Sequence, residues 1–227
     1  MQEQLAADAE WALRVAPLVP DTVGTIGGCF VAFARGEQGP GHPGDHAWAA
    51  AVTWRRPQQG SAWGEVVDGR VVAGTVPASY APGLLARREG PILAASVEGL
   101  GSLPDALLVD ATGLDHPRRA GLALHLGAAL DVPTIGVTHR GLVVRGDPPP
   151  GLGDRGDSQL VDLDGTAMAS WVCTRTGARP LLVHAAWCTD VAAAVDVVLA
   201  ASDETARTPA PLQEARRLAR VTRHRLG

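Results

Sequence analysis

Two carboxylates stand at positions where a divalent cation could be bound. Glu89 lies in a segment with helical spacing, and Asp110 closes the apolar run 106–110, which is typical of a buried parallel strand. Strand ends in an open α/β sheet present ligand groups, and carboxylate oxygens form the sites that Mg²⁺ and Mn²⁺ occupy. Glu89 and Asp110 are therefore candidates to share one of these ions.

Glycine and histidine follow Asp110 at the start of a predicted helix. Gly113 frees the backbone after the strand, and His116 precedes Pro117-Arg118-Arg119, a helix start of the kind that suits anions. His116 would serve equally well as a helix cap. Farther upstream, the turn Tyr80-Ala81-Pro82-Gly83 carries the single tyrosine of the chain, which could face a ligand or simply pack the turn.

The elements that position these residues follow from hydrophobic spacing and turn signals. Helices are predicted over 2–15, 84–100 (broken at Gly90-Pro91), 118–130, 191–200 and 211–225. Strands are predicted over 25–34, 47–55, 70–76, 106–110, 134–138, 167–174 and 180–184, with a loop over 141–157. An antiparallel meander followed by a right-handed βαβ unit predicts an α/β mixed sheet flanked by helices, in a single domain 1–227.

The composition limits the class of protein. The 227 residues, 46% hydrophobic and 19% charged, can bury a core. The apolar runs are too short for a transmembrane helix, and the acidic start does not resemble a signal peptide. Three cysteines without a CxxC pair argue against a disulfide framework or a thiolate zinc site. We expect a cytoplasmic, reduced protein with no membrane partner; the sequence indicates no oligomeric state.

Every basic side chain apart from histidine is arginine, since the sequence contains no lysine. The net charge of −4 creates no global field that attracts nucleic acid. Arginines nevertheless concentrate in the last predicted helix, at Arg216, Arg217, Arg220, Arg223 and Arg225. They would form a solvated helix face or contact phosphate.

The stretch from about Tyr80 to Val137 closely resembles endonuclease V, a family of metal-dependent nucleases that cut near deoxyinosine. The resemblance rests on the turn at Tyr80-Ala81-Pro82-Gly83, the strand end at Val109-Asp110, the segment His116-Pro117-Arg118-Arg119 and the strand Thr134-Ile135-Gly136-Val137. It implies a ribonuclease H-like fold, Mg²⁺ or Mn²⁺ as cofactor, and inosine-containing DNA or RNA as partner.

The same resemblance implies roles for individual residues. Tyr80, Pro82 and Gly83 match the wedge that separates the strands beside a flipped base, with Gly113 near the substrate. Glu89 and Asp110 match metal-binding carboxylates, and His116 matches a histidine near the cleavage site.

Three positions depart from the family pattern. Phe30 stands where the family keeps an aspartate in its first strand, His139 where a lysine follows the Ile-Gly-Val strand, and Trp187 where a late histidine lies. Because phenylalanine cannot ligate an ion, we expect weakened metal binding, which argues against ordinary two-metal cleavage. Replacement ligands could come from the connector before the second strand, which holds Glu37, His42, Asp45 and His46.

The departures have a shared aromatic character. If Phe30, His139 and Trp187 converge, they form a dry pocket suited to a planar ligand; otherwise Phe30 and Trp187 are plain core. Cys29 and Cys188 flank two of them, either as inert buried thiols or as part of a Cys–His dyad with His139 or His184.

Three functions stay open at this point. The first is an inosine endonuclease in which Glu89 and Asp110 hold the metal while His116 and His139 assist. The second is a nucleic-acid binder that does not cleave and keeps Tyr80 with the basic last helix. The third is a repurposed enzyme that acts on a small planar metabolite.

Overall fold

The computed structural model describes residues 2–36, 41–56, 64–163 and 165–226. Within these ranges the chain forms five α-helices and eight strands. The helices are α1 (Gln2–Val15), α2 (Leu85–Glu98), α3 (Leu122–Leu130), α4 (Val191–Ala200) and α5 (Ala210–Leu226). The strands are β1 (Thr25–Phe33), β2 (His46–Arg55), β3 (Glu65–Thr75), β4 (Ala106–Val109), β5 (Thr134–Thr138), β6 (Ser158–Leu163), β7 (Thr166–Val172) and β8 (Leu181–Ala185).

The eight described strands form one mixed sheet in the order β3-β2-β1-β4-β5-β8-β7-β6. Strands β1 to β3 are an antiparallel meander, and β4 and β5 continue it in parallel with β1. Strands β8, β7 and β6 then follow antiparallel. The predicted mixed α/β sheet, a meander followed by a βαβ unit and flanked by helices, is confirmed. Strand β6, which directly follows the predicted loop, was not predicted.

The parallel register brings the ends of two strands together beside β1. Cys29 pairs with Val109, and Val109 pairs with Gly136, so β4 and β5 end side by side next to β1, which continues to Phe33. We call this the carboxyl edge; Asp110 and His139 lie there. Ligand groups of open α/β sheets collect at such an edge.

Helices cover both faces of the central strands. In β4, Leu107 and Val109 pack towards α2 and α3, whereas Ala106 and Leu108 pack towards α4 and the start of α5. This double burial is why β4 is apolar throughout. Among the described helices none combines the length and apolarity needed to cross a bilayer.

Helix α5 lies directly on β1 because β1 carries a glycine at the contact. A side chain at Gly28 would come within 2.3 Å of the Pro211 carbonyl carbon. Farther along, Ala215 and Ala219 are fully buried, and Phe30 packs against the small cluster that contains Ala219. The small residues bring the helix backbone close to the sheet, so that its arginines reach the carboxyl edge.

Two helices differ from their predicted bounds. Helix α2 runs without a break through Pro91, which is exposed, so water can satisfy the carbonyl group that lacks its helix donor. Helix α3 begins at Leu122 rather than at residue 118. The intervening backbone turns instead: Arg118 donates its N–H to His116 Nδ1, and Arg119 has a left-handed φ of 53°.

Candidate nucleic-acid interface

A guanidinium group occupies the position beside Asp110. Arg216 of α5 donates from Nη2 to Asp110 Oδ2 at 2.8 Å, across 106 positions of sequence. The Arg216 guanidinium also lies 5.2 Å from the centre of the Phe30 ring, and Arg220, one helix turn later, lies 5.5 Å from it. Phe30 is thus a platform for two arginines, and it joins them to the carboxyl edge.

The second candidate ligand, Glu89, is unusually easy to protonate. Burial raises its pKa to about 7; the guanidinium of Arg88 opposes this increase, and the charge of Asp110 adds to it. A carboxyl group with this pKa is about half protonated at neutral pH. Burial, with Asp110 and Glu89 nearby, likewise raises the pKa of the Cys29 thiol above its usual range, so this cysteine is an inert thiol rather than a nucleophile.

The residues present do not fit a divalent ion. Within the part of the chain that the structure describes, no three His, Cys, Asp or Glu side chains gather as a ligand set. Phe30 offers no ligand atom, and the positive charge of Arg216 already satisfies Asp110. An entering cation would have to displace that guanidinium or sit against it, which costs electrostatic energy.

The connector supplies no replacement ligand in the described residues. Asp45 binds Arg88 at 2.7 Å and also accepts the backbone N–H of His42. His42 and His46 are exposed. Glu37 lies outside the described residues. The charge of Asp45 is therefore used to tie the connector to α2, where Arg88 also stacks on Phe33.

A cavity of about 230 Å³ opens beside the 80–83 turn. It is lined by residues of α2, the segment after β4 and the end of β5, among them Tyr80, Gly83, Leu85, Ala111, Thr112, His116, Leu122, Thr138 and Leu142. Pockets for drug-sized ligands have volumes of roughly 300–1,000 Å³. This cavity is smaller, and its size suits a single base. Tyr80 stands at its rim with 47% of its surface exposed.

His116 holds the wall of this cavity in place. Its Nδ1 accepts the N–H of Arg118 at 3.1 Å, which leaves the proton on Nε2, and Nε2 donates to Gly83 O at 3.0 Å. Burial lowers the pKa of His116, so the neutral ring is retained. Gly83 has a φ of 72°, a conformation that favours glycine. His116 therefore links the turn to the segment after β4.

Four predicted substrate residues, Pro82, Gly113, Phe30 and Trp187, are not among those that line the cavity. Pro82 is exposed within the turn, where it precedes the left-handed Gly83. Gly113 is buried under β8: a side chain there would meet Ala185 O at 2.1 Å. Gly113 thus allows the segment after β4 to lie flat on the sheet, a packing role that its position next to Asp110 did not reveal.

The predicted aromatic pocket of Phe30, His139 and Trp187 is wrong. Trp187 lies at the amino end of β5: its carbonyl accepts the backbone N–H of Thr134, its own N–H donates to Thr134 Oγ1, and it packs over Gly127. Phe30 and His139 lie at the opposite, carboxyl edge of the sheet. Because β8 runs antiparallel to β5, the residues that follow β8 return to the far edge.

The two cysteines next to Phe30 and Trp187 are likewise far apart in the fold. Cys188, next to Trp187, lies at the far edge, whereas Cys29 faces the core between the sheet and α2. All three cysteines are free and buried, and His184 bonds to Thr138 rather than to a thiol. The structure therefore does not form the Cys–His dyad.

Two functional features were missed from the sequence. Arg216 was one of several arginines in the last helix, and nothing in its local sequence set it apart. The buried group of Asp115, His184 and Thr138 joins three distant segments. The sequence signal for this group was Asp115, a carboxylate that follows an apolar strand and precedes the turn at His116-Pro117.

Comparisons with known proteins agree with this architecture. The family profile described as Endonuclease V matches residues 8–217. The Endonuclease V of Methanopyrus kandleri is 42% identical over 171 residues, which cover 75% of this chain and 66% of that protein. The chain thus spans about two thirds of the length of this curated relative.

Solved structures show the same fold. The crystal structure of Endonuclease V from Streptomyces avermitilis has a TM-score of 0.78 at 28% identity, covering 99% of this chain and 94% of that one. Endonuclease V of Ciona intestinalis in complex with a 24mer DNA containing an inosine has a TM-score of 0.78 at 20% identity, covering 100% and 96%. With a profile match along most of its length and the matching sheet, this chain belongs to the endonuclease V family.

Proposed function

We propose that the chain recognises inosine-containing nucleic acid in the cavity beside Tyr80 and binds it without metal-dependent hydrolysis. The observation that carries this proposal is the ion pair between Arg216 and Asp110, 2.8 Å long, at the edge where a metal would be needed. The relative from Ciona intestinalis, crystallised with an inosine-containing DNA, supports the choice of ligand.

Recognition of a base requires that it leave the helical stack. Extrusion costs a few kcal/mol of stacking and pairing, and an aromatic side chain that fills the gap offsets part of this cost. Tyr80 is suited to that role, because it is half exposed at the rim of a cavity sized for one base. His116 and Gly83 fix the turn beneath it, so little conformational entropy is lost on binding.

Phosphate binding follows from the arginines around Phe30. Asp110 neutralises Arg216, but Arg220 shares the same aromatic platform without a carboxylate recorded beside it in the described residues. Arginine binds phosphate oxygens through its planar fork of N–H donors. Backbone contacts of this kind should not need a divalent ion, and they should weaken as salt concentration rises.

The experiment uses an oligonucleotide duplex with one deoxyinosine and a matched duplex with deoxyadenosine. Fluorescence anisotropy in EDTA should show tighter binding to the deoxyinosine duplex. Gel analysis in Mg²⁺ or Mn²⁺ should show no specific product. Equal affinity for both duplexes would contradict the proposal that the protein recognises the base. Specific cleavage that disappears in Glu89→Gln and Asp110→Asn would show that a metal site forms despite Arg216.

A further inference from the structure

Thr138 is one of the residues that line the cavity, together with Tyr80 and His116. It is the last residue of β5 and is partly buried. Two polar atoms of the protein lie within hydrogen-bond distance of its Oγ1. These are Arg140 O at 2.8 Å and His184 Nε2 at 2.8 Å.

The single proton of this hydroxyl remains inside the protein in either tautomer of His184. If Nε2 carries the histidine proton, it donates to Thr138, and Thr138 donates to Arg140 O. If Nδ1 carries it, towards Asp115 Oδ2 at 3.8 Å, Thr138 donates to Nε2 or to Arg140 O. In each case the hydroxyl can offer the cavity a lone pair but no proton.

The groups behind Thr138 are held firmly. His184 and Asp115 have no exposed side-chain surface. The Asp115 carboxylate accepts the backbone N–H groups of residues 142–144, and Leu142 lines the cavity. A side chain on Gly136 would meet His184 Cβ at 3.2 Å, so the glycine leaves room for the imidazole. This rigidity fixes the position of the Thr138 hydroxyl oxygen.

We infer that Thr138 is a specificity-determining residue, which accepts a hydrogen bond from a ring N–H of the bound base. This inference rests on the proposed function and deepens it. A 6-oxopurine such as hypoxanthine carries a proton on N1, whereas adenine and unsubstituted purine present a bare N1 lone pair. A bare lone pair opposite Thr138 Oγ1 loses the hydrogen bond and meets repulsion, which costs roughly ten- to hundredfold in affinity.

The test uses single-stranded oligonucleotides, because they remove the cost of breaking a base pair. Each carries one deoxyinosine, one deoxyadenosine or one nebularine, the nucleoside of unsubstituted purine, at the same position. Anisotropy in EDTA should show that wild-type protein prefers deoxyinosine to nebularine by roughly ten- to hundredfold. Thr138→Val keeps the shape but removes the acceptor, and should lower this preference to a few fold. Thr138→Ser should restore it.

The outcomes separate this inference from the proposed function. If wild-type protein prefers deoxyinosine and Thr138→Val retains the full preference, the assignment of Thr138 is overturned while base recognition stands. If wild-type protein does not distinguish deoxyinosine from deoxyadenosine, the proposed function fails, and this inference fails with it. Circular dichroism checks that the variants are folded, and Thr138→Ala is the substitute should the valine disturb β5.

Discussion

Replacement of Arg216 by alanine tests the idea that an internal cation occupies the metal position. The variant loses the ion pair with Asp110, whose two side chains are 24% and 31% exposed, and the stacking on Phe30. A partly exposed pair contributes up to about 1 kcal/mol, and a cation–π contact about 0.5–1 kcal/mol. We therefore expect Arg216→Ala to lower the free energy of unfolding by about 0.5–2 kcal/mol. For a domain of this size that corresponds to a fall in Tm of about 1–8 °C.

The matched control is Arg217→Ala on the same helix. Arg217 pairs with Glu214 and is 60% exposed, so its removal should change Tm by less than the loss of Arg216. Thermal unfolding monitored by circular dichroism in EDTA compares the two variants. Arg216→Ala should have the lower Tm of the two variants.

Manganese provides the second half of this test. Wild-type protein should show the same Tm in EDTA and in Mn²⁺, because Arg216 already satisfies Asp110. The double variant Phe30→Asp with Arg216→Ala restores a carboxylate and removes the guanidinium, so Mn²⁺ should raise its Tm. At 100 times the Kd, binding adds about 2.7 kcal/mol to stability. A rise in the Tm of wild-type protein with Mn²⁺ that disappears in Asp110→Asn would refute the reasoning.

Three further predictions concern stability. Burial lowers the pKa of His184 to about 4, so the unfolded state takes up the proton first as the pH drops. The free energy of unfolding should therefore fall between about pH 7 and pH 4, by up to about 1.4 kcal/mol per pH unit. Chemical denaturation should show a weaker dependence of this free energy on pH for His184→Asn, and an equal dependence would contradict the assignment. Asp45→Asn should lower Tm more than Glu65→Gln, because the arginine partner of Asp45 is buried whereas the Glu65 pair is exposed; the reverse order would be inconsistent with the structure. His116→Ala should lower the free energy of unfolding, measured in urea, by about 1–3 kcal/mol and weaken deoxyinosine binding, because Gly83 O loses its hydrogen-bond donor. Unchanged binding would show that His116 does not support the cavity.

Much of the site was predictable from the sequence because its signals are local. The apolar run before Asp110 identified a strand buried on both faces, and the placement of that carboxylate at a strand end followed from strand length alone. The turn around Tyr80 was recognisable because proline and a left-handed glycine fix its backbone. That Phe30 takes the place of a metal ligand rests on the family resemblance and stays a prediction.

The errors share a physical cause. Trp187 was placed beside Phe30 because an alignment of residues carries no strand direction, and the antiparallel pairing of β8 with β5 moved it to the far edge. Helix α3 started late because His116 binds backbone N–H groups that would otherwise begin the helix. In both cases a partner distant in sequence or a side-chain acceptor overrode local spacing.

The sequence by itself determined the mixed sheet and the strand-end carboxylate, because hydrophobic periodicity and residue chemistry are properties of the chain as written. Only the tertiary structure decided that Arg216, rather than another arginine of α5, reaches Asp110. It also decided that the Thr138 hydroxyl donates its hydrogen bond within the protein. Such choices depend on which face of a helix or strand packs inward and on the distances that result. Those quantities exist only once the helices have closed over the sheet.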